Sequence, residues 1–453
     1  MPSIKNTKSI EQIYQKKSPI EHIKDLPDTY IGSIDKAETI KWIYDDSGNI
    51  INKKINYVPG LYKIYDEIIV NAIDHTTRLS NDNTEKHKVT VIKVNIDKKS
   101  NTISVYNNGE GIQVAIHKEH KIYVPEMIFG NLLTSANYDK KAKKITGGKN
   151  GYGSKLTNIF STEFIVETVD STRKLKYKQI FRNNMDIKTK PEIRKFSGNP
   201  FTRITFKPDL KIFGISELTD DIVSLMKKRI IDVAACVSNK VKVYINDKLI
   251  NCGTLEHYIK YYFDKPIEHI YTSLSDRWEA VIAVHPDAKF EQVSFVNGIN
   301  TSNGGKHVDH VVNTVCRKIQ AHILKHGYKR KKSLKIKQSY LKDNMFVFVR
   351  AVIENPSFDS QIKEYLNTPY NKFGSKFEID DKTISKLMKT SLIDRAIKLN
   401  EFKDTIMATK VINKKCKTIR GIVKLDDAIK AGTTDSEKCT LILTEGDSAK
   451  ALA

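Results

Sequence analysis

Thr146-Gly-Gly-Lys-Asn-Gly-Tyr-Gly-Ser-Lys155 places four glycines in the seven residues from Gly147 to Gly153. Backbone this rich in glycine can turn its amides inward toward an anion. Lys149 and Lys155 add positive charge, and the apolar run from Leu156 reads as the opening of a helix. A helix N-terminus behind a glycine loop is a seat for phosphate. Two common phosphate loops do not fit. Gly148 and Gly153 have the Walker spacing, but Ser154-Lys155 follow in reversed order. The dinucleotide pattern GxGxxG is missing, and the preceding residues are too polar for the strand it requires.

Working back from the loop, Pro59–His75 carries apolar residues at 61, 64, 65, 68, 69, 72 and 73. This spacing predicts a helix with Glu67, Asn71 and Asp74 on one polar stripe. A glutamate there suits proton abstraction from water. An asparagine oxygen one turn away suits Mg²⁺ when phosphates supply other ligands. Alternating stretches at 89–96 and 102–106 predict strands, the second closed by Asn107-Asn108-Gly109. That turn reads either as a hairpin or as a strand end where Asn108 meets an adenine edge. Further strands are expected at 163–169, 174–181, 203–206 and 241–245, with a helix over 218–235.

A second α/β stretch runs from about 256 to 400, with strands at 280–284, 292–296 and 346–353. Helices are expected over 305–325 and, as one long amphipathic element, over 382–402. Between Asn313 and Met345 stand ten Lys or Arg against one acid, Asp343. Residues 439–450 read as a buried strand, an acidic turn and a helix start. Because the chain stops inside that unit, it is expected to be part of a longer protein.

Composition narrows the class. The 453 residues carry 76 Lys+Arg against 53 Asp+Glu, a net charge of +23, which implies a polyanionic partner such as nucleic acid. Five scattered cysteines without a CxxC pair fit reduced thiols in an intracellular protein without a structural zinc site. No signal peptide or long apolar run is present, so a soluble protein away from membranes is expected.

The helix with ExxxN, the NNGxGI turn and the TGGxNGYGxK loop follow in order between Glu67 and Lys155. Together they resemble the GHKL (Bergerat) ATPases, shared by type II topoisomerases, Hsp90 chaperones, MutL-type repair proteins and histidine kinases. Four longer stretches resemble eukaryotic-type (type IIA) DNA topoisomerase II within that group. They are Phe129–Asp139 (FGNLLTSANYD), Ser294–Asp309 (SFVNGINTSNGGKHVD), Asn355–Lys363 (NPSFDSQIK) and Glu445–Lys450 (EGDSAK).

The resemblance implies an α+β chain: a GHKL ATPase domain with a mixed sheet and an N-terminal arm over 1–255, and an S5-like transducer over 256–405. A linker over 406–437 and the beginning of a Toprim domain over 438–453 would follow. Glu67 would be the general base, Asn71 the Mg²⁺-side ligand and Asn108 the adenine contact. Ser135, Ala136 and Asn137 would line the ribose. Gly148, Lys149, Asn150, Gly151, Tyr152, Gly153, Ser154 and Lys155 would wrap the triphosphate of ATP. Gln361, Ile362 and Lys363 would reach it from the transducer, with Gln361 and Lys363 acting in catalysis. Glu445 would be the first Mg²⁺-binding acid of the Toprim site. Lys329, Arg330, Lys331 and Lys332 would contact double-stranded DNA, and an exposed Tyr30 in the arm would lock a homodimer.

Ala136, Lys149, Ser154, His75 and Ile362 depart from the residues usual in this family, without removing the base, the metal ligand or the two lysines. The Lys, Ile and Asn bias points to an AT-rich genome such as that of a large DNA virus. The enzyme would then work in host cytoplasm, or in the nucleus if cellular. A chaperone or MutL-like clamp on the same fold, and a non-catalytic basic DNA-binding protein, are the competing readings.

Overall fold

The computed structural model describes residues 14, 16–134, 143–148, 151–328, 336–402 and 428–445. Helix α1 (Pro19–Asp25) opens on a reciprocal cap, in which Ser18 and Glu21 satisfy each other's backbone amides. The hairpin β1 (Ala37–Tyr44) and β2 (Ile50–Tyr57) follows. Sequence reading missed it, because β2 exposes four consecutive residues, Ile51 to Lys54, and does not alternate. Helix α2 (Pro59–Asn81) starts with proline at its first position and buries Leu61, Ile64, Tyr65, Ile68, Ile69, Ala72 and Ile73. It runs one and a half turns past the end expected from its apolar spacing.

Strands β3 (Val91–Asp97) and β4 (Thr102–Asn108) pair antiparallel. The short helices α3 (Val124–Gly130) and α4 (Gly153–Ile159) precede β5 (Ser161–Asp170) and β6 (Leu175–Arg182). The short β7 (Ile187–Lys188) and β8 (Glu192–Lys195) come next, then β9 (Phe201–Pro208), α5 (Asp220–Cys236), β10 (Lys242–Ile245) and β11 (Lys248–Leu249). The sheet order is β11-β10-β3-β4-β9-β5-β6-β7, with β8 also on β6. Only the β10–β3 pair is parallel, so this is the mixed sheet expected.

A second sheet is built from β12 (His269–Ser275), β13 (Trp278–Val284), β14 (Glu291–Val296), β15 (Ile299–Asn300) and β16 (Met345–Ala351), in the order β12-β13-β16-β14-β15. Helix α6 (Lys306–His326) lies between β15 and β16 in the chain. Every residue of β13 is buried, because the sheet is covered on both faces. Ala280, Ile282, Val347 and Val349 join the core under α6. Their alternates Val281, Ala283, Phe346 and Phe348 join the core of the first sheet. Trp42 of β1 stacks on Phe346 at 6.0 Å between ring centroids. The two sheets therefore share apolar packing, and parts of both can be held at one cavity.

Two expectations need correction. The single helix over 382–402 is two: α7 (Asp381–Leu387) stops, and a second helix begins at 391. The Thr390 hydroxyl donates to the Leu387 carbonyl, and Glu268 accepts from the Ser391 amide, so both ends are satisfied without continuing the first helix. Residues 439–444 form no strand, and Leu441, Ile442 and Leu443 are exposed. An apolar run becomes a buried strand only beside a partner edge, and no described strand pairs with it.

Candidate nucleotide site

The polar stripe of α2 faces a cavity of about 220 Å³. Glu67, Asn71, Asp74, His75 and Arg78 form one wall. Val105 and Asn107 of β4, Thr202 and Ile204 of β9, and Ile128 and Phe129 of α3 form the floor, which is apolar apart from Asn107 and Thr202. Gly148 and Gly151 to Lys155 close one side, and Gln361 and Lys363 enter from the segment after β16.

Glu67 is 4 % exposed. Its Oε1 lies 2.6 Å from the Lys63 ammonium and 3.8 Å from that of Lys363. Burial pushes this carboxyl up, but the Lys363 and Lys63 charges outweigh it and leave the pKa at about 2. The first residue of α4 must be glycine at this point. A Cβ on Gly153 would stand 2.0 Å from Glu67 Oε2.

Asp74 organises the entry of the loop. Its two oxygens accept from the amides of Gly147 and Gly148 at 2.7 and 2.6 Å. Burial raises its pKa to about 6, against the lowering effect of those two bonds. His75 donates from Nε2 to the Glu110 carbonyl at 2.7 Å, and the Arg78 guanidinium donates to Nδ1 at 2.6 Å. These partners hold a neutral ring, and burial with the Arg78 charge brings its pKa down to about 4. Lys155 donates to the Thr134 carbonyl at 2.6 Å, and burial lowers its pKa to about 8.

The second sheet reaches the same loop. Lys363 adopts φ 67° and directs its ammonium to the Gly147 carbonyl at 3.4 Å. Asn297 donates to Thr146 O at 3.4 Å and to Ile353 O at 2.9 Å. Asn355 exchanges bonds with the backbone of Lys144. Beneath α2, Arg229 joins Asp66 at 2.6 Å to the Gly298 carbonyl at 2.8 Å. A shift of the segment 297–299 would therefore be felt at both the loop and the helix bearing Glu67.

This geometry has known counterparts. A profile described as "Histidine kinase-, DNA gyrase B-, and HSP90-like ATPase" matches residues 56–211, and one described as "DNA gyrase B" matches 237–418. The ATPase region of Saccharomyces cerevisiae topoisomerase II superposes with a TM-score of 0.79 at 44% identity, covering 87% of this chain and 100% of that one. The chain belongs to the eukaryotic-type DNA topoisomerase II family.

It corresponds to that family's ATPase and transducer region. DNA topoisomerase 2 of Pisum sativum is 46% identical over 99% of the chain, and that of Acanthamoeba polyphaga mimivirus 47% identical over 100%. The chain spans 30% and 35% of the length of these two relatives. The chaperone, clamp and non-catalytic readings are not favoured by these likenesses.

Of the residues expected at a topoisomerase nucleotide site, the cavity brings together Glu67, Asn71, Gly148, Gly151, Tyr152, Gly153, Ser154, Lys155, Gln361 and Lys363. Ser135, Ala136, Asn137, Lys149, Asn150 and the basic run Lys329, Arg330, Lys331 and Lys332 lie outside the described residues. Asn108 is a correction. Alternation along β4 turns Asn107 into the cavity, where it is 5 % exposed, and turns Asn108 to the other face. There its side chain accepts from the Thr90 and Val91 amides, both at 2.8 Å. Counting by twos from the buried Ile103 and Val105 would have found Asn107.

Ile362 is a second correction. It does not line the cavity; its side chain packs toward Gly32, because successive residues at the Gln361–Lys363 turn point to opposite sides. Tyr30 is half-buried rather than exposed. Its hydroxyl meets His22 Nδ1 at 2.9 Å, and its ring lies 6.1 Å from that of Tyr152 in the glycine loop. Glu445 is exposed and belongs to no cluster of ligating groups among the described residues. Lys63, Asp74 and Arg78 had no role from sequence. Asp74 stood on the α2 stripe, but its amide partners are 73 and 74 residues away.

Proposed function

We propose that this region is the ATP-operated gate of a type II DNA topoisomerase, in which ATP hydrolysis drives closure of a homodimer around one DNA duplex. The observation that carries the reading is the meeting in one cavity of Glu67 from α2, the glycine loop before α4 and Lys363 from the segment after β16. Glu67 is the general base toward the attacking water, within reach of Gly153 at the head of α4. Its two lysines make it a weak base as it stands. A γ-phosphate that draws Lys363 away leaves only Lys63 beside it, which raises the basicity of Glu67 when substrate is in place. Lys363 then stabilises charge developing on the phosphate, and its bond to Gly147 ties the outcome to the loop.

Asn107 meets the adenine edge from the floor. The Asn71 side chain faces the cavity and makes no hydrogen bond among the described residues, and its amide oxygen fits a hard cation. It would hold Mg²⁺, which supplies charge neutralisation on the phosphates. Glu445 would serve a second Mg²⁺ at the cleavage site of the whole protein. The basic excess, with Lys329 to Lys332 in its densest run, fits a DNA partner.

Light scattering of the chain at micromolar concentration tests the gate. A dimer with a non-hydrolysable ATP analogue and a monomer without it are expected. A monomer under both conditions contradicts the proposal. For the whole protein, ATP-dependent relaxation of supercoiled plasmid is expected.

A further inference from the structure

Between β4 and α3 the chain makes a compact turn, Ile116-His-Lys-Glu-His-Lys-Ile-Tyr123. The His117 amide donates to Ile122 O at 2.8 Å, the Lys121 amide to His117 O at 2.9 Å and the Val124 amide to Ala115 O at 2.9 Å. Ile116 and Tyr123 bridge the base of the turn. This frame sets the rings of His117 and His120 side by side, with centroids 4.8 Å apart and planes at 27°. One ligating atom from each of His117, Glu119 and His120 lies within 4.8 Å of the others. Glu119 has no ion pair or hydrogen bond among the described residues, although Lys118 and Lys121 flank it in sequence.

We propose that His117, Glu119 and His120 form a surface site for a divalent transition-metal ion of the Zn²⁺ class, distinct from any Mg²⁺ that accompanies the nucleotide. Two imidazoles and one carboxylate suit borderline metals and select against Mg²⁺, which prefers oxygen ligands and keeps its waters. A tetrahedral ion with bonds of about 2.1 Å holds its ligand atoms about 3.4 Å apart, so the turn must draw in by up to about 1.4 Å. The competing interaction is a long bond from the His120 amide to His117 Nδ1, 3.3 Å, which coordination would replace. Water completes the shell, because Glu119 and His120 are exposed. The ion would fasten the turn just before α3, whose Ile128 and Phe129 line the nucleotide cavity.

The test is titration of metal-stripped protein with Zn²⁺ by calorimetry and with Co²⁺ by absorption, without nucleotide or Mg²⁺. A second histidine pair, His322 and His326 on α6, has centroids 4.7 Å apart and serves as control. Binding is expected in wild type and in the His322→Ala/His326→Ala variant, with Co²⁺ bands lacking thiolate charge transfer. The His117→Gln/His120→Gln variant, shown by circular dichroism to be folded, should lose one bound ion per chain. Absence of binding in wild type, loss that follows the α6 pair, or a thiolate band would each overturn the proposal.

Discussion

Adjacent asparagines at the end of β4 face opposite sides of the sheet, and replacing each with alanine separates base recognition from folding. Asn108 Oδ1 accepts from the Thr90 and Val91 amides at 2.8 Å, and its Nδ2 donates to Thr90 Oγ1 at 2.7 Å. At about 1 kcal/mol net per bond, reduced because Thr90 is exposed, Asn108→Ala should cost about 2 kcal/mol. In a unit of this size that corresponds to a fall in Tm of about 4–8 °C. Nucleotide affinity should hold, because the Asn108 side chain lies outside the cavity. Asn107→Ala removes a polar group 5 % exposed on the cavity floor. Losing one bond to a base edge there should weaken nucleotide binding about tenfold, the equivalent of about 1.4 kcal/mol. Differential scanning fluorimetry without nucleotide and calorimetry with an ATP analogue measure the two effects. The reasoning is refuted if Asn108→Ala weakens the analogue at unchanged Tm while Asn107→Ala leaves binding intact.

Gly153→Ala brings a Cβ to 2.0 Å from Glu67 Oε2, so the carboxylate must retreat by about 1 Å. Such a displacement should lower kcat about 10²-fold in a protein that still folds, as steady-state assay and circular dichroism would report. Lys363→Ala should lower kcat about 10²-fold with ADP affinity unchanged, since ADP has no γ-phosphate for the ammonium to meet; equal losses for ATP and ADP would reduce Lys363 to a structural contact. His307, fully buried on α6 with Nδ1 unpartnered among the described residues, has its pKa brought down from 6.5 to about 3 by burial. A depressed histidine pKa contributes stability that is full above pH 6.5 and is lost as pH falls toward 3. Tm should therefore drop across that range, less steeply in His307→Asn.

Much of the site was legible because its residues are close in sequence or carried by long motifs. The glycine loop and the Glu67–Asn71 stripe follow from backbone freedom and helical period alone. Lys363, 216 residues from its Gly147 partner, was placed only through the motif around it. Local strand geometry was available for Asn107, but the motif alone favoured its neighbour. The Lys63–Glu67 contact is an i,i+4 pair on α2 that helical period alone could have found. No sequence signal reports that Asp74 holds the loop amides or that Arg229 ties Asp66 to Gly298, because each depends on where distant backbone arrives. The hairpin β1–β2 was hidden because four consecutive residues of β2, Ile51 to Lys54, are exposed, and this breaks the expected alternation.

The central claim is that Glu67 is the base of an ATP-hydrolysing site, and Glu67→Gln tests it most directly. Glutamine keeps the shape beside Gly153 and removes the proton acceptor. Steady-state hydrolysis should fall about 10²-fold or more, while an ATP analogue still binds and still dimerises the chain. Near-normal hydrolysis by that variant would contradict the account and leave Glu67 as a buried partner for two lysines.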